Sequence, residues 1–182
     1  MIGMVNPVVP EKANDILLGE GITKVNTDKI GATKGGSRLE VDKKILDIKF
    51  DGAYGSVKGL RKPEIHIARL TINFLKITYV NLAYGLNADI VSGQDSKGQY
   101  RDINFRLDFK ASDVVNKVSF EGFKHDGTPC IIILENVLNL GDIGFEFKEK
   151  GEVILPVTYT GFYLYNAPTT PPYEINDYYP TA

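Results

Sequence analysis

The chain is short of the residues from which small covalent or metal-built sites are assembled. Of its 182 residues one is cysteine, Cys130, two are histidine, His66 and His125, and none is tryptophan. One cysteine cannot form an intrachain disulfide, and with two histidines beside it the ligands for a closed structural zinc site are missing. Nowhere do eighteen apolar residues follow one another, which excludes an ordinary membrane-spanning helix. The N-terminal MIGMVNPVVPEKAND has no cationic segment followed by an apolar run, so the expectation is a protein made and kept in a cytoplasm unless something larger exports it. Excess positive charge is absent too: 21 Lys and Arg stand against 23 Asp and Glu, net -2, which argues against a dedicated nucleic-acid binder. What remains, 43% hydrophobic and 10% aromatic residues, suits one globular domain with a real core.

Charge is unevenly distributed along the chain. Residues 24–69 carry eleven Lys or Arg against six Asp or Glu, whereas residues 121–182 carry three against nine. Solvated faces explain this as well as a head-to-tail contact between copies, in which a basic patch meets an acidic one.

Alternation of apolar and polar residues dominates. Ile103, Phe105, Leu107 and Phe109 share one parity while Asp102, Asn104, Arg106, Asp108 and Lys110 take the other, the pattern of a half-buried strand. The same period runs through Leu46, Ile48 and Phe50, through Val118 and Phe120, through Ile143, Phe145 and Phe147, and from Val153 to Tyr159, with DG, GG, HDGTP and KEKG as turn signals. Ile65 and Ile67 sit on odd positions but Leu70, Ile72 and Phe74 on even ones, which suggests a β-bulge near Ala68. Leu75, Tyr79, Leu82 and Leu86 then step by four, three and four, so residues 76–86 read as the one substantial helix, with Gly85 near its end. These four are assigned to helix packing. The apolar run of CIIILENV suits a strand covered on both faces, by the helix or by a neighbouring subunit. From Ala167 the last sixteen residues hold four of nine prolines and three of ten tyrosines, a composition expected of an extended arm outside the sheet, and Pro7 and Pro10 mark an irregular N-terminal arm. The fold class is mainly β: a sandwich or incomplete barrel of antiparallel strands with one flanking helix, in a single domain over 1–182 with arms at 1–20 and 167–182.

No motif for chemistry survives inspection. GATKGGS, Gly31 to Ser37, lacks a Lys directly before Ser or Thr at a helix start, so it reads as a turn between strands and not as a phosphate loop or nucleophile elbow. His125-Asp126 lies in HDGTP, which is hairpin chemistry, and His66 lies within a strand. Cys130 heads an apolar run with no basic neighbour and reads as a buried, inert thiol. Phe105 and Phe109 share the parity of Leu107 and read as core, not as an RNA-stacking platform. No catalytic residue, cofactor or metal ligand is therefore assigned, and an enzyme on a β-sandwich is disfavoured.

The run KIGATKGGSRLEV, then FDGAYGSVKGLRKPEI, a long strand, the helix LKITYVNLAYGL and a closing ILPVTYTGFY and PPYEI resemble, in that order over residues 20–176, the major tail tube protein of long-tailed bacteriophages. The tube proteins of phage-derived bacteriocins and contractile injection systems are similar in the same way. The resemblance implies a structural virion protein without catalytic activity. Six copies would close into a ring, joining their sheets into a lumen wall, and rings would stack into a hollow tail tube through which DNA is delivered without sequence-specific binding. The implied partners are further copies and other tail proteins, with no membrane, and the implied location is the virion tail, with the host cytoplasm during assembly. Asp51 to Lys62 matches the glycine-punctuated loop that family members extend onto the adjacent ring, which makes Asp51, Tyr54, Lys58, Arg61 and Lys62 the candidate ring-stacking residues. Passage of DNA calls for an acidic or neutral lumen, because each phosphate-paired cation adds salt-sensitive affinity. Arg38 with Glu40 and Asp42, and Asp102 with Arg106 and Asp108, are both mixed in sign and do not single out the lumen face. A glycan-binding β-sandwich of a virion is the alternative, and the absence of Trp counts against it.

Overall fold

The computed structural model describes residues 17–48, 51, 52, 54, 55, 57–106, 108–145, 149 and 151–178. The expectations for residues 1–16, Phe50, Leu107, Phe147 and 179–182 lie outside them. The described chain is mainly β and antiparallel. Its strands are β1 (Leu17–Val25), β2 (Asp28–Lys29), β3 (Thr33–Asp47), β4 (Arg61–Phe74), β5 (Asp89–Asp95), β6 (Gly98–Asn104), β7 (Val115–Lys124), β8 (Pro129–Asn139), β9 (Leu155–Gly161) and β10 (Tyr173–Asp177), with helix α1 (Tyr79–Leu86) between β4 and β5. The main sheet runs β2-β1-β7-β8-β9-β4-β3 and is an incomplete barrel: it does not close, and β5 and β6 form a separate hairpin.

The core lies inside the curl of this sheet. On β4, Leu70, Ile72 and Phe74 stand opposite Tyr159, Val157 and Leu155 of β9, and all six are fully buried. Val25 of β1, Val115 and Val118 of β7 and Leu134 and Val137 of β8 close the same cluster from the other limb. At roughly 1.5–3 kcal/mol for each large apolar side chain removed from water, this cluster supplies the main drive to fold. The even parity of β4 is unbroken from Ala68 to Phe74, and pairing with β3 runs in constant register from Ser37↔Ile72 to Lys44↔Ile65. There is no bulge near Ala68. Ile65 and Ile67 belong to the outer face, and the irregularity comes at Glu64, where β4 skips a residue between Ile65 and Pro63. A second shift lies between Thr33 and Ser37, within β3, where Gly35 and Gly36 both have φ near +80°. The GATKGGS segment is thus a bulged strand start and not a turn between strands; glycine tolerates that backbone without strain.

Helix α1 is shorter than 76–86. Thr78 accepts the Asn81 N–H at 3.2 Å as N-cap, and the chain leaves the helix at Asn87, in the left-handed region with φ 51°. Gly85 is inside the helix and faces the core: a Cβ there would come within 3.1 Å of Val157 Cγ2. Asn81 Nδ2 donates to Ile30 O at 3.0 Å and to Lys76 O at 2.8 Å, and Asn139 Nδ2 donates to Gly85 O, so two buried amides pin the helix at both ends. Leu82 and Tyr84 pack on the core, and Leu75 and Leu86 are half-buried. Tyr79 does not pack inward: it is 40% exposed, with the Arg101 guanidinium 4.1 Å from its ring centroid.

Strand β8 is paired along both edges. One edge takes β7; the other takes β10 over Cys130–Leu134 and then β9 over Val137–Asn139. Asn136, at φ 50°, lies where one partner gives way to the other, and its carbonyl accepts Phe162 N–H at 3.0 Å. The proline-rich C-terminal segment is therefore extended but not free of the sheet. No proline lies between Pro172 and Pro180, and the five residues of β10 all carry the backbone donors a ladder needs. Strand β9 begins at Leu155, so Val153 precedes it, and Ile143 packs on the core from an irregular segment.

Candidate assembly surfaces

Strand β9 holds β4 only over Arg69–Phe74. Beyond that contact β3 and β4 continue as a two-stranded ribbon, through Asp42–Asp47 and Arg61–Ile67, for about 20 Å before the connecting loop. A two-stranded ribbon with both faces in water is marginal alone. This one nevertheless exposes Ile45 (58%), Leu46 (51%), Ile48, Val57 and Ile65. Cross-strand ion pairs hold its own geometry: Lys44 to Glu64 at 2.9 Å and Arg61 to Asp47 at 2.8 Å.

The sequence-derived loop residues fall on the distal part of this ribbon. Tyr54 is fully exposed, Asp51 and Lys58 are exposed in the connecting loop, and Arg61 and Lys62 open β4. Arg61 is committed to Asp47 within the ribbon, whereas Lys58 and Lys62 have no ion-pair partner among the described residues. The apolar residues beside them were missed as a surface because their alternation reads as core. The pairing of Ile65 with Lys44 and of Ile67 with Asp42 places them on a charged face, a fact of register and not of sequence.

Both ends of the main sheet's strand path are open among the described residues. Strand β3 pairs with β4 on one side and with nothing on the other, and β2 covers only Lys24 and Val25 of β1. Such rows of unpaired backbone groups are templates for another chain.

A third exposed feature overturns an expected strand. Strand β6 ends at Asn104, and Phe105 and Phe109 are 70% and 61% exposed. The reason is Arg106. Its guanidinium turns inward, donating to Asn87 O at 3.0 Å, ion-pairing with Asp113 and lying 3.2 Å from Asp89, and this pulls the backbone out of the sheet. The Ala111-Ser112-Asp113 turn just downstream was the available signal. Burial opposes ionisation of Asp113, but the Arg106 hydrogen bond, the Lys110 N–H at 2.7 Å and the charges of Arg106 and Lys110 outweigh it and hold the carboxyl below its ordinary range. A depressed folded-state pKa adds stability above the unfolded value, near 3.9, that is lost as pH falls through the folded value. Urea midpoints should therefore drop between pH 5 and pH 3 by more in the wild type than in Asp113→Asn; equal drops would show that the carboxylate is not linked to folding.

Elsewhere the candidate chemistry is structural. Asp126 accepts Thr128 N at 2.9 Å and Thr128 Oγ1 at 2.6 Å within its turn. Cys130 is buried, and burial raises its thiol pKa. No group of three or more His, Cys, Asp or Glu among the described residues could hold a metal ion, and no helix there is long and apolar enough to cross a membrane.

No family model matches the chain, and no curated protein shows a significant match. Among solved structures the chain is similar to one from the virion of a native gene transfer agent particle, at a TM-score of 0.44 and 10% identity, over 86% of this chain and 95% of that one.

Proposed function

We propose that the chain is a structural, non-catalytic virion subunit that closes with identical copies into hexameric rings, and that the rings stack into a hollow tail tube through which DNA passes. The observation that carries this reading is the ribbon: it extends about 20 Å past its last pairing with β9, tied to the C-terminal part of the chain at His66, and exposes apolar residues on a two-stranded sheet, a state that a partner surface would stabilise. The open edges of β3 and β1 supply a second, lateral mode, in which sheets of neighbouring copies continue one another and closure removes the edges. Asp51, Tyr54, Lys58 and Lys62, exposed on the distal part of the ribbon, would meet the next ring, with the two lysines opposite its carboxylates, while Arg61 shapes the ribbon through Asp47.

Negative-stain microscopy of concentrated protein tests the proposal. Rings or hollow tubes are expected; particles that stay solitary at every concentration would sink it. Reversing charge at Lys58 and Lys62 should raise the assembly threshold about tenfold and steepen its recovery at low pH, where facing carboxylates are neutral. An unchanged threshold would leave the lysines without a role in stacking.

A further inference from the structure

The root of the ribbon is held by fewer contacts than its length would suggest. Strand β9 supports β4 from Arg69 inward, and between Ala68 and the bulge at Glu64 the strand has only β3 beside it as a sheet partner. Clefts flank this root. One of about 460 Å³ lies along Ile67, Leu140, Phe162 and Tyr163; one of about 390 Å³ lies along Pro63, Ile65, His66 and Pro168; one of about 250 Å³ lies along Lys43, Ile45, Lys62 and His66. Bridging this open ground are two tyrosines from the C-terminal part of the chain, and both end on His66. Tyr163 Oη donates to His66 O at 2.9 Å, and Tyr173 Oη lies 3.0 Å from His66 Nε2, with the two rings edge to face at 5.5 Å.

We propose that the ribbon pivots at Ile65–Ile67 and that Tyr163 and Tyr173 form a latch on His66 that fixes its direction. The two tyrosines bracket the connection between β9 and β10: Tyr163 follows β9 closely and Tyr173 opens β10. The direction of the ribbon is thereby coupled to the pairing of β10 with β8, and loss of that pairing removes the Tyr173 half of the latch. With clefts open to solvent on either side, the β3–β4 ladder and the two tyrosine hydroxyls are what resist a swing. The latch does not depend on what the ribbon docks against.

Pulsed electron-electron resonance measures it directly. Spin labels at Lys58→Cys in the loop and Asn116→Cys on β7, in a Cys130→Ala background diluted into excess unlabelled protein, report the ribbon-to-body distance. The wild-type tyrosines should give one narrow distribution. Tyr163→Phe with Tyr173→Phe, which keeps both rings, should broaden it roughly twofold, with each single variant between. A double variant as narrow as the parent overturns the latch, and so does a parent already as broad as the double variant. Should the double variant fail to fold, the two single variants decide by the same comparison. Neither result bears on tube formation, whose failure in microscopy would in turn leave these distances unchanged.

Discussion

Under the proposed assembly, the double substitution Ile45→Lys with Leu46→Glu is expected to abolish tube formation at concentrations that suffice for the parent, with the thermal midpoint of the subunit moved by no more than about 2 °C. Adjacent residues of a strand point to opposite faces, so the pair strips apolar surface from both sides of the ribbon, whichever side docks. The two new charges cancel, which leaves net charge out of the comparison. About half of each side chain is already covered in the subunit, so docking gains only ~1–1.5 kcal/mol per residue from the remainder. Forcing an unpaired charge into an apolar contact costs several kcal/mol more. A total of ~5 kcal/mol corresponds to three or four decades in the concentration at which assembly begins. Sedimentation of parent and variant over a concentration series measures that threshold. Tubes forming at the parental threshold would show that the ribbon is not what docks.

The largest effect on folding is expected at Asn139. Its side chain is 4% exposed, donates to Gly85 O and to Gly141 O at 3.3 Å, and accepts Gly141 N–H at 3.1 Å. Alanine there leaves a buried helix carbonyl without its partner, at about 1–3 kcal/mol, and removes the bonds to the exposed Gly141, at about 1 kcal/mol. A loss of ~3 kcal/mol in a domain of this size lowers the midpoint by about 6–12 °C. Differential scanning calorimetry of Asn139→Ala checks this, and a shift below about 2 °C would mean that water or a relaxed backbone takes over both groups. Below its midpoint the variant should assemble like the parent, because Asn139 lies at the helix and not at the ribbon. The two variants thus separate assembly from folding: one changes the threshold with the midpoint intact, the other the midpoint with the threshold intact.

Periodicity was legible wherever one face of a strand meets the core. Leu70, Ile72 and Phe74 on β4, Val118 on β7 and the run from Leu155 to Tyr159 are buried at the parity their spacing indicates, because a strand with one wet and one dry face must alternate. Alternation failed for Leu46, Ile48, Ile65, Phe105 and Phe109, apolar residues that lie exposed on the subunit. Hydrophobic pattern reports which residues avoid water in the finished state, and under the proposed assembly the isolated subunit is not that state. The four positions assigned to helix packing divided for a related reason. Leu82 packs on the core, but Tyr79 carries its own cation partner outward, and the helix is seated by Asn81 and by the bare backbone of Gly85, neither of which has a hydrophobic signature.

From the residues alone came the mainly β character, the single helix and the turn chemistry of the Asp126 hairpin, all of which rest on local rules acting over a few neighbours. Register, edge and reach came only with the tertiary structure: which strands stay unpaired, where β4 bulges, how far the ribbon leaves the body, and that Tyr163 and Tyr173 meet at His66 across about a hundred residues of chain. These depend on pairings between distant segments, whose free energy is set by the partner each strand finds and not by its own composition.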